Sequence, residues 1–119
     1  DNGDSTQALQ KFEDALKAHP EIDTIFSLES IGGVAAANAV EELGLEGKVT
    51  ILAIDDNADT VQYVKDGKIW ATMAQNFYKM GYTAGEFAVK YLNGEEVESV
   101  VDSGTVLITA ENVDTYSFE

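Results

Sequence analysis

The sequence predicts an α/β domain, a parallel sheet flanked by helices, and three observations carry that expectation. Segments with apolar residues at helical spacing alternate with short apolar runs, in the order α-β-α-β-α-β-α-β. Such alternation requires right-handed crossovers and a parallel sheet. The run at 49–54, partly β-branched, has the uninterrupted apolar character of a strand buried on both faces. Three runs also stop abruptly at polar residues: Glu29-Ser30, Asp55-Asp56-Asn57 and Gln75-Asn76.

Each element follows from local signals. A polar start at 1–6 leads into a helix with Asp4 or Ser5 as N-cap and Leu9, Phe12, Ala15 and Leu16 at helical spacing. His19-Pro20 ends it, because proline disfavours helical geometry in the residue before it. A buried strand is expected at 22–28, and Ser30 is the expected N-cap of a helix reaching Leu43, closed by Gly44. That helix contains Ala35, Ala36, Ala37 and Ala39, small enough to lie close to a sheet. The second strand is expected at 48–54 and the next helix at 57–65, closed by Asp66-Gly67. A third strand at 69–74 precedes a longer helix at 77–92, whose inner stripe is Met80, Ala84, Phe87, Ala88 and Tyr91. Asn93-Gly94 ends it, 97–101 and 104–109 read as extended, and 111–119 as a turn and tail. A parallel α/β unit normally opens on a strand, whereas this chain opens on a helix. It is therefore expected to be the back portion of something larger.

Composition removes several functional classes. The 119 residues suffice for one domain. The formal charge is −15, with seven lysines and no arginine, which argues against a nucleic-acid surface or docking on anionic lipid. There is no cysteine, so neither a disulfide framework nor a thiolate site is possible. No apolar run approaches the roughly 20 residues of a membrane span. The polar start Asp1-Asn2-Gly3-Asp4 lacks the features of a signal peptide, so if the protein is exported its signal is expected upstream.

In a parallel sheet the three polar strand ends share one rim, and Glu29, Asp55 and Gln75 there could meet one small ligand. Carboxylates accept from hydroxyls, while an amide both accepts and donates. That combination suits a sugar or polyol. The competing reading is that these residues cap the helices that follow them. His19 is the only histidine and sits at a helix end, so no Ser/His/Asp triad can be assembled away from it. No phosphate-cradling glycine motif follows a strand, and no carboxylate spacing matches a calcium loop. No cofactor or metal is expected. Trp70, Phe77, Tyr78 and Tyr82 offer aromatic surface for a sugar ring, or for packing. Asp55-Asp56 also resembles the acidic pair of a phospho-receiver domain. The next strand ends at Met73-Ala74-Gln75, without the aspartate such a domain phosphorylates, so that reading fails.

Several runs together resemble type I periplasmic sugar-binding proteins of the ribose- and galactose-binding class. ALKAHPEIDTIF at 15–26 resembles the helix and strand before the ligand loop, and ILAIDD at 51–56 that class's strand end at its aspartate. IWATMAQNFYKMG at 69–81 resembles its A-T-V-A-Q segment, the most specific match, and GTVLITAENVD at 104–114 its closing strand. The resemblance implies an incomplete three-layer Rossmann-like lobe. The chain would be the C-terminal part of a two-lobed protein, mostly the second lobe, with about 76–103 belonging to the first. By position, Asp55 is the aspartate that accepts from sugar hydroxyls and Gln75 the glutamine at the lobe crossing. Glu29, with Ser30 beside it, stands where many members carry an asparagine. The implied function is non-covalent binding of a monosaccharide or polyol for an ABC importer, with a membrane permease as partner. The implied location is periplasmic or extracellular, lipid-anchored in a Gram-positive organism. The alternative is the effector domain of a lactose-repressor-type regulator, although Asp66-Gly67-Lys68-Ile69-Trp70-Ala71-Thr72 follows the solute-binding pattern. An enzyme is not expected, since nothing supplies a nucleophile with its base. Without a first lobe, the 77–92 helix would bare an apolar stripe, and the chain alone is expected to self-associate or repack.

Overall fold

The computed structural model describes residues 2–118, with elements in the expected order. Asp1 and Glu119, the outermost residues of the expected N-terminal loop and C-terminal tail, lie outside the described residues. Helix α1 spans Ser5–Ala18, and the Asp4 side chain caps it by accepting from the Gln7 N–H at 2.9 Å. Strand β1 is Thr24–Phe26, shorter than the expected 22–28. Helix α2 (Gly32–Glu42), strand β2 (Thr50–Ile54), helix α3 (Ala58–Lys65) and strand β3 (Ala71–Gln75) follow. Helix α4 occupies Phe77–Leu92, the expected span, and strand β4 is Thr105–Thr109. The segment 97–101 forms no strand.

The sheet order is β1-β2-β3-β4. The first three strands are parallel, so the ends at Glu29, Asp55 and Gln75 do share a rim. Strand β4 corrects the expectation of a wholly parallel sheet: it is antiparallel to β3, from Ala71 opposite Thr109 to Gln75 opposite Thr105. Helix α4 does not act as a crossover. The chain leaves the rim at Gln75, makes its excursion, and re-enters at the same rim, so the next strand must run backwards.

One face of the sheet is covered. Ile25, Ile51, Ala53, Thr72, Ala74 and Ile108 are buried there with Val40 of α2 and Val64 of α3, and Leu16 joins them from α1. The alanines of α2 permit a close approach, and Gly33 lies directly on β2: a Cβ there would lie 2.6 Å from the Ala53 Cβ. The opposite face carries Phe26, Leu52, Ile54, Met73 and Leu107, none of them buried, with Phe26 59 % and Leu107 43 % exposed. Strand β2 is therefore not buried on both faces in this chain. The incomplete three-layer lobe consists here of its sheet and one helical layer, among the described residues. None of the sixteen residues of α4 is buried, and the molecule is extended, 57 × 32 × 21 Å.

Two substitutions test this packing. Alanine in place of Gly33 gains about 1 kcal/mol of helix propensity, but overpacking against Ala53 costs about 1–3 kcal/mol. Gly33→Ala should lower the urea midpoint, and Ala53→Gly in the same protein should recover part of the loss. Thr60 is wholly buried on α3, and its Oγ1 has no hydrogen-bond partner among the described residues. Thr60→Val removes that unsatisfied hydroxyl at nearly constant shape and should raise stability by about 1 kcal/mol in the same assay.

Candidate functional site

The rim is built around Asp55, the residue after β2. Its φ of +73° is left-handed, a conformation uncommon outside glycine, tolerated by aspartate, and held only where surroundings determine it. The adjacent strand β3 supplies that determination. The Asp55 N–H donates to the Met73 carbonyl at 2.9 Å, and the Asp55 carbonyl accepts from Thr72 Oγ1 at 2.7 Å. Gln75 Nε2 donates to Asp55 Oδ1 at 2.8 Å. Two of the sequence-predicted residues are thus in direct contact. Asp55 Oδ2 and Gln75 Oε1, both on half-buried residues, have no hydrogen-bond partner among the described residues.

Glu29 and Ser30 are engaged differently. Glu29 folds over the first turn of α2, its Oε2 accepting from the Ile31 N–H at 3.3 Å, and its own carbonyl accepts from the Gly32 N–H. A carboxylate there meets the unsatisfied donors and the positive end of the helix. Ser30 is not the N-cap: that position belongs to Ile31, which has no side-chain cap bond. The reason is a competing partner. Asn57 Nδ2 donates to the Ser30 carbonyl at 3.0 Å and to Ser30 Oγ at 3.2 Å, tying the two loops together. Asn57 also caps α3, its Oδ1 accepting from the Thr60 N–H at 3.0 Å. The structure brings Asp55 to Gln75 and Ser30 to Asn57, and turns Glu29 back on its own helix.

Three contributors were not singled out from the sequence. Thr72 carried one signal, a hydroxyl inside a buried apolar strand, which must find an acceptor. The second role of Asn57, bridging to Ser30 across 27 residues, has no local signature. Tyr116 comes from the tail, its hydroxyl donating to Asp56 Oδ2 at 3.2 Å. Asp55 and Asp56 therefore point to different partners. Among the described residues no group of three His, Asp or Glu side chains could hold a metal ion. A cavity of about 460 Å³ lies between Val40, Ile51, Ile69 and Trp70, and one of about 550 Å³ between Leu9, Ile31, Val34 and Asn57. Neither is lined by Asp55 or Gln75, which stand on an open rim.

This geometry, polar groups at the carboxyl ends of parallel strands beside the point where the chain leaves the sheet, is an arrangement that α/β ligand-binding proteins use. The chain belongs to the periplasmic binding protein domain family, which matches residues 1–96. It is 32 % identical over 96 residues to the ribose import binding protein RbsB of Salmonella typhimurium, covering 81 % of this chain and 32 % of that protein. The RbsB of Bacillus subtilis is 29 % identical over 106 residues, 89 % of this chain and 34 % of the relative. The chain thus spans about a third of the length of these relatives. Among solved structures, the glucose-galactose binding protein GanP of Geobacillus stearothermophilus superposes with a TM-score of 0.86 at 28 % identity, over 93 % of this chain and 40 % of that one. A periplasmic solute binding protein of an Actinobacillus succinogenes ABC transporter, with bound D-allose, gives 0.82 at 34 % identity, over 95 % and 40 %.

The tail contact has a measurable consequence. Burial first, then the charge of Asp56 and the hydrogen bond to it, raise the Tyr116 hydroxyl above the usual tyrosine value of 10.0. A raised pKa favours the neutral folded form, so the contact is complete below about pH 10 and is lost as pH rises through the shifted value. Spectrophotometric titration at alkaline pH should show a tyrosine ionising above the usual tyrosine value, absent in Tyr116→Phe and shifted downward in Asp56→Asn.

Proposed function

We propose that this chain is part of the substrate-binding component of a bacterial ABC sugar importer, binding a monosaccharide or related polyol non-covalently between two lobes. The observation that carries the reading is the Asp55–Gln75 pair on the open rim, 2.8 Å apart, with acceptor atoms to spare. Asp55 accepts from ligand hydroxyls and Gln75 both accepts and donates. Glu29 and Ser30 complete the rim, Glu29 after leaving the Ile31 N–H. No cofactor takes part. The relatives support the ligand class: import binding proteins for ribose, and a solute-binding protein holding D-allose.

The excursion at 76–103 belongs, in this reading, to the first lobe. Support comes from α4, where Phe77, Tyr78, Tyr82, Tyr91 and Leu92 are all exposed, Tyr78 by 83 %. The outgoing and returning chains lie side by side, the Asn76 N–H donating to the Gly104 carbonyl at 3.4 Å. Two adjacent crossings make a hinge about which lobes close on a ligand, and the closed form is what a membrane permease partner would engage. Without its first lobe the chain would cover the α4 stripe by self-association. Family membership supports a location outside the cytoplasm, periplasmic or extracellular.

Calorimetry on the full-length protein tests the reading. At least one sugar among D-ribose, D-allose, D-arabinose, D-galactose and D-fucose should bind. A hydrogen bond to a charged group contributes about 1.5–3 kcal/mol, so Asp55→Ala should weaken the tightest of them by more than tenfold. Unchanged affinity in Asp55→Ala, or no binding by any of the five, overturns it.

A further inference from the structure

We propose that Thr72 is a positioning residue for ligand recognition: its hydroxyl holds Asp55 in the left-handed conformation that aims its carboxylate across the rim. The inference rests on the reading of Asp55 as a sugar acceptor and adds a residue that would not itself touch the ligand. Thr72 is wholly buried in β3, at 0 % exposure, opposite Ala53 of β2 and Ile108 of β4. A hydroxyl there, inside an apolar layer, is costly unless it is hydrogen-bonded. Its Oγ1 donates to the Asp55 carbonyl at 2.7 Å, the shortest of the bonds that strand β3 makes to Asp55.

The bond acts where the backbone is least comfortable. Residues with a side chain leave the left-handed region unless something holds them there. For Asp55 at φ +73° the holding groups are the Met73 carbonyl on its N–H and the Thr72 hydroxyl on its carbonyl. The Met73 bond continues the regular β2–β3 ladder and fixes only the start of the residue. The peptide that follows, whose carbonyl belongs to Asp55, is fixed by Thr72. Releasing that peptide lets Asp55 relax toward negative φ, which rotates its side chain away from Gln75. Preorganisation of this kind is lost as affinity, because the ligand must then restore the geometry itself.

The test compares Thr72→Val, which removes the hydroxyl at constant shape, with Thr72→Ser, which keeps it. Calorimetry on the full-length protein uses the tightest-binding sugar of the five-member panel and its monodeoxy analogues. Thr72→Val should weaken binding about tenfold or more, and Thr72→Ser by less than about threefold. The loss should concentrate on the hydroxyl whose removal abolishes the effect of Asp55→Ala, and in an Asp55→Ala background Thr72→Val should change affinity by less than about twofold. Thr72→Ala gives the same comparison should valine disturb folding. Thr72→Val binding like the parent while Asp55→Ala weakens it overturns this proposal and leaves the sugar site standing. An equal loss in the Asp55→Ala background, marking a purely structural role, also overturns it. Asp55→Ala binding like the parent overturns both readings at once.

Discussion

The grip of β3 on Asp55 is the constraint on which the rim depends. Residues 72–75 of one strand satisfy the N–H, the carbonyl and one carboxylate oxygen of a single residue on the neighbouring strand. A left-handed aspartate held at three points has a defined side-chain direction, whereas a loop aspartate held at none samples many. The pairing that permits this is the parallel register of β2 and β3, with Ile54 opposite Met73. A slip of one residue would exchange Thr72 for a methyl or thioether group and move Gln75 to the other face. Register, strain and the direction of the Asp55 side chain are thus one property of this strand pair.

The rest of the architecture serves that pair from both sides. Small residues bring α2 down onto β2, Ala53 meeting Gly33, so the loop preceding α2 reaches the rim beside Asp55. Asn57 then joins that loop to the β2–α3 loop with one amide, donating to Ser30 while its oxygen starts α3. On the other side, the chain departs after Gln75 and returns at Thr105, paired with Gln75 itself. The residue bonded to Asp55 is therefore also the last residue before the excursion. A displacement of the segment beyond Gln75 would pull on the residue that contacts Asp55, so in the proposed two-lobed protein the rim and the crossing would move together.

Helices and their order were legible in the sequence because apolar periodicity and capping are local. Asp4, Asn57 and Asn76 cap α1, α3 and α4, each accepting from an N–H three residues on. The direction of β4 was not legible, because an apolar run reads the same in either direction and only the path of 76–104 decides it. Ser30 failed as a cap for a related reason: Asn57, 27 residues away, competes for the same side chain. Burial of β2 on both faces was expected from its apolar run, but burial needs a covering layer, and Phe26 and Leu107 remain exposed beside it. Of the site, Asp55 and Gln75 could be named from their places at strand ends. Thr72 was legible only as a buried hydroxyl in need of an acceptor, because which carbonyl it meets depends on the backbone angle of another residue.

If the rim is the proposed ligand site, its electrostatics narrow the ligand chemistry further than residue identity does. In a chain of net charge −15 with no arginine, Asp55 takes its one side-chain hydrogen bond from a neutral amide, and forms no ion pair among the described residues. An anionic ligand would meet uncompensated repulsion there. A cationic one would be attracted, so charge at the rim selects against anions and leaves the choice between cationic and neutral donors to the hydrogen bonds. Neutral hydroxyls fit both partners, because one hydroxyl can donate to the carboxylate while accepting from the amide N–H, and a second can donate to the amide oxygen. When such a rim is closed away from water, the remaining carboxylate oxygen must be satisfied by the ligand, and a ligand lacking the matching hydroxyl leaves a charge unpaired. The cost of an unpaired buried charge exceeds that of a lost neutral contact, so a single carboxylate held in one orientation discriminates among sugars more sharply than a larger set of mobile polar groups.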